Sequence, residues 1–129
     1  MTELKEQLGI KKRKITWSDM NKMFKIGDMY FTHGMYTNQY SAAKHLQKLG
    51  CNICYGHQHG TQTYLQNMAM QKPYMAYALG TLGDKAPDYM KGKPCNWINQ
   101  FAIFYWDTKT GHFNLYPINV ISKKFFWIS

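Results

Sequence analysis

The spacing of apolar residues along the chain changes between residues 38 and 50. Four apolar residues recur there at intervals of three, among polar positions: Tyr40, Ala43, Leu46 and Leu49. This interval places side chains on one face of a helix, and Gly50 follows where a helix would end. The pattern predicts an amphipathic helix over residues 38–49 that turns this stripe toward the core.

Short apolar runs on either side of this helix predict strands. Residues 22–32 contain two such runs separated by a turn at Gly27-Asp28, which predicts a hairpin. Residues 51–55 predict a short buried strand. The second strand of the hairpin, the helix and this strand form a βαβ-like unit, whose parallel strands end at the same edge of a sheet.

The remaining segments predict a mostly β chain. They are a short helix over residues 2–8, strands over 61–64 and 74–78, a long loop over 80–96, a hairpin of 101–106 and 113–121, and an apolar tail over 125–127 that packs as a last strand or against a partner. No internal repeat or linker separates them. We therefore expect a single domain over residues 1–129 of the α/β (mixed α+β) class, with one main helix and a C-terminal antiparallel hairpin.

Composition indicates a folded protein. The chain has 129 residues, of which 45% are hydrophobic, and this is enough for a core of its own. It contains no apolar run of the roughly 18 residues that a membrane span needs, and it opens with no signal-peptide pattern. Its three cysteines do not make an even disulfide framework, which favours reduced thiols. We expect a cytoplasmic protein with no membrane partner.

The charge of the chain points to a class of partner. Sixteen lysines and arginines against seven acidic residues give a net charge of +9. This balance favours phosphate-rich partners, which are nucleic acids or nucleoproteins. The candidate nucleic-acid contact is the densest positive stretch: Lys11, Lys12, Arg13 and Lys14. A run of like charges also occurs as a solvated face that serves only solubility, and the sequence leaves both interpretations open.

Two of the predicted strands run into histidines that lie next to glycines. His33 precedes Gly34, and His57 and His59 lie between Gly56 and Gly60. Imidazole binds divalent metals, a strand fixes its direction, and glycine lets the backbone turn close to an ion. Because zinc accepts three histidines and a water, these three histidines are the candidate ligands of one weakly bound divalent ion, Zn, Mn or Ni. The alternative is that they are hydrogen-bonded histidines at a sheet edge.

The other histidines and cysteines give weaker signals. Cys51 and Cys54 form a C-x-x-C pair that would suit zinc or redox chemistry. Residues three apart on a strand point to opposite faces, however, and small thiols also fill a strand that is buried on both sides. We favour this structural interpretation. His45 and His112 are expected on the surface.

The histidine segments and the sequence that follows them resemble those of a known protein family. Thr32-His33-Gly34, a helix, and then Tyr55-Gly56-His57-Gln58-His59 are similar to the last two metal motifs of calcineurin-like metallophosphoesterases, above all the phage-encoded ones. The similarity runs from about residue 20 onward, and four later segments follow in the expected order: Ala78-Leu79-Gly80-Thr81-Leu82, Pro87-Asp88-Tyr89, Asn96-Trp97 and Phe101-Ala102-Ile103. The resemblance implies that His33 and His57 bind one ion and that His59 binds its neighbour. In that family two divalent ions clamp a phosphoester and generate a hydroxide nucleophile.

The chain departs from the family upstream of His33. The bridging aspartate, the Asp-x-His pair and the Gly-Asn-His segment have no counterpart there, and Asp19 and Asp28 lie in different local settings. The resemblance therefore implies a partial β-sandwich that corresponds to the C-terminal half of such an enzyme, with no catalytic residue assigned. Half a sandwich leaves an apolar face open, which calls for repacking, a homodimer or a partner chain.

Three functions are consistent with these features. The first is a non-catalytic, basic binding module derived from a phage enzyme, which engages nucleic acid or a host nucleoprotein in the host cytoplasm. An inhibitor of a nucleic-acid-targeting defence such as CRISPR is one such role. The second is a metal-dependent phosphodiesterase half that is active only when a partner chain supplies the missing Asp, Asn and His ligands. The third is an inert truncation product.

Overall fold

The computed structural model describes residues 2–19, 22–84, 91 and 95–126. Their helices and strands are α1 (Thr2–Gln7), β1 (Phe24–Ile26), β2 (Met29–Thr32), α2 (Ser41–Leu49), β3 (Asn52–Tyr55), β4 (Gln62–Gln66), β5 (Tyr74–Ala78), β6 (Gln100–Trp106) and β7 (Phe113–Asn119). Strands β1 to β5 form one mixed sheet in the order β1-β2-β3-β5-β4, and β6 pairs with β7 in a second, two-stranded sheet. The expected mixed α+β class, main helix and C-terminal hairpin are confirmed.

The predicted βαβ unit is confirmed as well. Strands β2 and β3 are parallel neighbours, with Thr32 opposite Tyr55 at their carboxyl ends. Helix α2 connects them and begins three residues later than predicted, because the segment before it forms a turn in which Asn38 Oδ1 accepts the Tyr40 amide at 3.2 Å. It ends as expected at Gly50, which has a left-handed backbone and donates its amide to Leu46 O.

The buried side of α2 differs from the predicted stripe. Its buried residues are Ser41, Ala42, His45 and Leu46, whereas Tyr40 is 67% exposed. Ala42 and Leu46 pack with Ile53 and Ala76 in one core cluster between the helix and the sheet. Because the helix starts at Ser41, Tyr40 lies outside it, and a stripe counted from Tyr40 is rotated away from the sheet. The expectation that His45 lies on the surface is wrong, since its exposed fraction is 0%.

The hairpin of β6 and β7 covers the other face of the sheet. Met29, Cys54 and Leu115 form a second core cluster, against which Phe31 and Phe104 also pack. The rings of Phe31 and Phe104 meet edge to face at 5.2 Å. The face of the sheet that half a sandwich was expected to leave open is therefore occupied here by the hairpin of the chain itself.

The turn of the β1–β2 hairpin contacts the turn between β6 and β7. The Asp28 amide donates to Gly111 O at 2.9 Å, and a Cβ on Gly27 would lie 2.9 Å from that same oxygen. The Trp106 side chain packs against Gly27 as well. Small residues at both turns let the two sheets approach here, which fixes their relative position at one end.

The remaining segments are irregular. Residues 8–14 follow α1 as a series of turns, and β4 is an exposed edge strand that ends two residues later than predicted. Phe125 packs edge to face on Phe101 at 5.1 Å rather than in a strand, and Trp127 lies outside the described residues. Of the loop over 80–96, the part with Pro87-Asp88-Tyr89 likewise lies outside them. No helix in the described part is long and apolar enough to cross a membrane.

Candidate functional site

The structure brings two of the three candidate metal ligands together. His33 directly follows β2 and His57 lies two residues after β3, so both loops leave the sheet at the same edge. Their imidazoles are hydrogen-bonded through His57 Nδ1 and His33 Nε2 at 2.7 Å, with ring centroids 4.5 Å apart. A backbone bond from the Gly56 amide to His33 O, at 3.2 Å, also joins the two loops. Both side chains are exposed to solvent.

Gly34 permits this close approach. Its φ is +114°, a backbone conformation that L side chains rarely adopt. A Cβ at this position would lie 2.8 Å from Tyr55 Cδ2 and 2.9 Å from His57 Cβ. The glycine next to His33 is thus required by both the turn and the contact, which explains why the histidine and the glycine occur together in the sequence.

The donor set of this pair fits half of a divalent metal site. Two nitrogens in one hydrogen bond share a single proton, so one of the two rings presents a lone pair to the other. With Zn–N bonds of about 2.0–2.1 Å, two nitrogens on one tetrahedral ion lie roughly 3.3 Å apart, so the pair has to open by about 0.6 Å to hold an ion in place of the proton. Exposed side chains can make such a movement. Among the described residues, however, no three His, Cys, Asp or Glu side chains are gathered so as to hold a metal.

His59 lies apart from this pair. Its backbone adopts a left-handed conformation with φ +57°, and its ring packs edge to face on Trp97 with centroids 4.4 Å apart. The Ile98 amide donates to His59 O at 3.0 Å, which ties the turn to the segment before β6. His59 Nδ1 is buried and has no hydrogen-bond partner among the described residues. Buried polar atoms in proteins normally have a hydrogen-bond partner, and the described residues supply none for this nitrogen.

His45 is the most important residue that sequence reasoning missed. Its Nδ1 donates to Ser41 O at 2.7 Å, and its Nε2 accepts the Met35 amide at 2.8 Å. These two bonds define a neutral imidazole, and burial lowers the pKa of His45 accordingly. Because Met35 lies two residues after His33, His45 anchors the loop that carries the first histidine. The available signal was its position four residues after Ser41, on the same side of α2.

The ring of His45 stacks on Tyr55, with centroids 3.9 Å apart, and Tyr55 connects it to a buried polar network. The Ser41 hydroxyl donates to Gln58 Oε1, so the Tyr55 hydroxyl at 2.5 Å from Ser41 Oγ is the donor of that bond. Burial raises the pKa of Tyr55, which keeps this hydroxyl protonated. Gln58 lies between His57 and His59, and the network therefore ties the second histidine loop to the start of α2.

A carboxylate also lies near the pair. Asp19 and Lys22 line a cleft of about 350 Å³ together with His33 and Thr32. The Asp19 carboxylate accepts Trp17 Nε1 at 3.0 Å and Lys5 Nζ at 3.3 Å, and these bonds lower its pKa, with that from Trp17 as the largest cause. Asp19 lies in an irregular stretch before β1 and is separated from His33 by the β1–β2 hairpin, so nothing in the local sequence pattern indicated that the two would share a cleft.

The basic run lies in the turns after α1. Its four members are Lys11, Lys12, Arg13 and Lys14. All four side chains are exposed, and none of them forms an ion pair with another described side chain. The backbone is closed by bonds from the Arg13 amide to Gly9 O and from the Ile15 amide to Ile10 O. The assignment of this run as a nucleic-acid contact stays a prediction.

The three cysteines, all in the described part of the chain, form no disulfide. Cys54 is buried in the core against the hairpin, and burial raises the pKa of its thiol to about 12. Burial also raises the pKa of Cys51. Both thiols are thus mainly protonated at neutral pH, which suits the packing interpretation of the C-x-x-C pair. His112 is exposed beside the hairpin turn, as expected.

Comparisons with protein-family models, with curated proteins and with solved structures gave no match to this chain.

Proposed function

We propose that the edge formed by His33 and His57 is the histidine half of a divalent metal site that acts on phosphoesters. The observation that carries the proposal is the 2.7 Å contact between His57 Nδ1 and His33 Nε2 at the carboxyl edge of two parallel strands. The similarity of both histidine segments to calcineurin-like metallophosphoesterases of phage type indicates the class of reaction. The missing oxygen ligands would come from a second polypeptide.

The residues of this chain have distinct parts in such a site. His33 and His57 would each supply one nitrogen lone pair as neutral imidazoles. His45 and the Ser41 network hold the two loops in place, and Lys22 places a cation on the wall of the cleft beside His33. A divalent ion bound there would polarise the phosphoryl oxygen and lower the pKa of a bound water.

The chain alone is expected to be inactive. Hydrolysis of a phosphodiester by this route requires oxygen ligands next to the imidazoles, and the described residues contain no group of three or more His, Cys, Asp or Glu side chains that could hold a metal. Asp19, which lines the cleft beside His33, already accepts bonds from Trp17 and Lys5. The proposal is therefore of half a site that a partner chain completes.

Calorimetric titration with Zn²⁺, Mn²⁺ and Ni²⁺ tests the proposal. We expect weak binding of one ion that is lost in His33→Ala and in His57→Ala and retained in the matched controls His112→Ala and Cys51→Ser. Hydrolysis of an aryl phosphodiester with added Mn²⁺ or Ni²⁺ is expected to stay at background. Metal binding that survives the loss of both His33 and His57 would refute the proposal.

A second candidate is a non-catalytic module that binds nucleic acid or a nucleoprotein, as a defence inhibitor would. It is supported by the four contiguous exposed cations of residues 11–14. If they contact phosphates, each contact that is removed lowers the slope of log affinity against log salt by roughly 0.7 to 0.9. A salt series with single-stranded RNA and duplex DNA, on the wild type and on a variant with all four residues changed to alanine, measures this. Equal affinities and slopes would exclude the run as the contact.

A further inference from the structure

A second cleft lies at the end of the sheet opposite to the histidines. It is formed where β3 and β5 begin, and the end of the β1–β2 hairpin and the start of β7 complete its walls. Its volume is about 570 Å³, within the range of sites for small molecules. Tyr30, Cys51, Asn52 and Tyr74 are among its half-buried lining residues.

The walls of this cleft are held by specific bonds. Asn52 Nδ2 donates to Asp28 O at 3.0 Å, and Asn52 Oδ1 accepts the Met75 amide at 2.9 Å, so one side chain joins the starts of three strands. The contact between the Asp28 amide and Gly111 O fixes the hairpin turn on the far side. The cleft is therefore largely formed before any ligand arrives.

The charges on the rim are mostly positive. Lys25, Lys72 and His112 line the cleft together with one carboxylate, that of Asp28. Neither lysine forms an ion pair with the described side chains. Lys25 Nζ instead lies over the ring of Tyr30, 5.3 Å from its centroid, which holds a cation against an aromatic wall.

We propose that this cleft binds a small anion that carries a flat ring, of the nucleoside monophosphate class. Lys25, held over Tyr30, and Lys72 supply the charge that a phosphate requires, and Tyr74 supplies an aromatic wall on which a base can pack. Either feature alone would suit a simple anion or a simple apolar ligand, and their combination selects a molecule with both parts. This site is separate from the histidine edge and from residues 11–14.

Calorimetric titration with AMP, adenosine and inorganic phosphate tests the proposal. We expect AMP to bind more tightly than either of its parts. The double variant Lys25→Gln/Lys72→Gln loses two charge-assisted contacts and should weaken AMP binding about tenfold or more. The matched control is Lys48→Gln/Lys124→Gln, which removes the same charge from exposed positions outside the cleft and should bind AMP as the wild type does.

Alkylation of the wild-type protein provides a second readout that depends on no variant. Cys51 lines the cleft, whereas Cys95 does not. Saturating AMP should slow the reaction of iodoacetamide with Cys51 at pH 8.5 and leave the reaction of Cys95 unchanged. The proposal is overturned if AMP fails to bind, if phosphate binds as tightly as AMP, if both double variants lose affinity equally, or if AMP does not protect Cys51.

Discussion

Replacement of Gly34 by alanine tests whether the close approach of the two histidine loops requires a residue without a side chain at this position. The new Cβ would lie 2.8 Å from Tyr55 Cδ2 and 2.9 Å from His57 Cβ, on a backbone whose φ is +114°. The Tyr55 ring has no room to retreat, because it is buried, stacks on His45 and is hydrogen-bonded to Ser41. The strain must therefore be taken up by the loops themselves.

Two other glycines separate the contributions. Gly50 has a φ of +61° with nothing within 4 Å of an added Cβ, so Gly50→Ala reports the backbone strain alone, about 1 kcal/mol. Gly56 has neither a positive φ nor a close neighbour, and Gly56→Ala should leave stability nearly unchanged. Gly34→Ala adds overpacking of about 2 kcal/mol to its backbone strain, for a total of about 3 kcal/mol.

Urea unfolding of the three variants, followed by tryptophan fluorescence, measures these differences. The expected order of destabilisation is Gly34→Ala, then Gly50→Ala, then Gly56→Ala. Nickel titration of the same proteins should show weaker binding only in Gly34→Ala, since only this change places an atom against His57 Cβ and so disturbs how the two histidine loops approach each other. If Gly34→Ala is no more destabilising than Gly50→Ala, the added Cβ does not overpack Tyr55 and His57.

Two further predictions concern titration and reactivity. The lowered pKa of His45 means that the unfolded chain takes up a proton below about pH 6.5 that the native state does not, so stability should fall as the pH drops below this value, by at most about 1.4 kcal/mol per pH unit. Urea unfolding between pH 7.5 and 5 should show a smaller decline in His45→Gln than in the wild type, and an equal decline would contradict the assignment. In alkylation followed by mass spectrometry at pH 8, exposed Cys95 should react first and Cys54, whose pKa is about 12, only upon unfolding; early modification of Cys54 would refute its burial.

The sequence predicted the strands, the helix and the loops that carry His33 and His57 better than it predicted the residues packed around them. Glycines at residues 34 and 50 mark a close approach and a helix end, both of which have local causes, and the βαβ rule then places the two histidine loops at one edge. That this edge is half of a metal site, which a partner chain completes, stays a prediction.

Features that depend on distant contacts could not be predicted in this way. His45 becomes a core residue because two backbone groups happen to meet its two nitrogens, and the position of His59 depends on Trp97, from a later segment. The second cleft needs turns that lie far apart in the chain. The spacing of apolar residues predicts helices and strands, but it carries no information about which distant residues come into contact.

The contact between Gly27 and Gly111 has a consequence for the order in which the chain can fold. Residues 24–78 contain both histidine loops and all five strands of the larger sheet, so this part can assemble during synthesis before the hairpin has been made. Until residues 113–115 have been synthesised, the face of that sheet with Met29 and Cys54 lacks the packing of Leu115 and Phe113. The Asp28 amide, whose acceptor is Gly111 O, would exchange its hydrogen with water freely until the hairpin docks. This single amide thus reports the completion of folding.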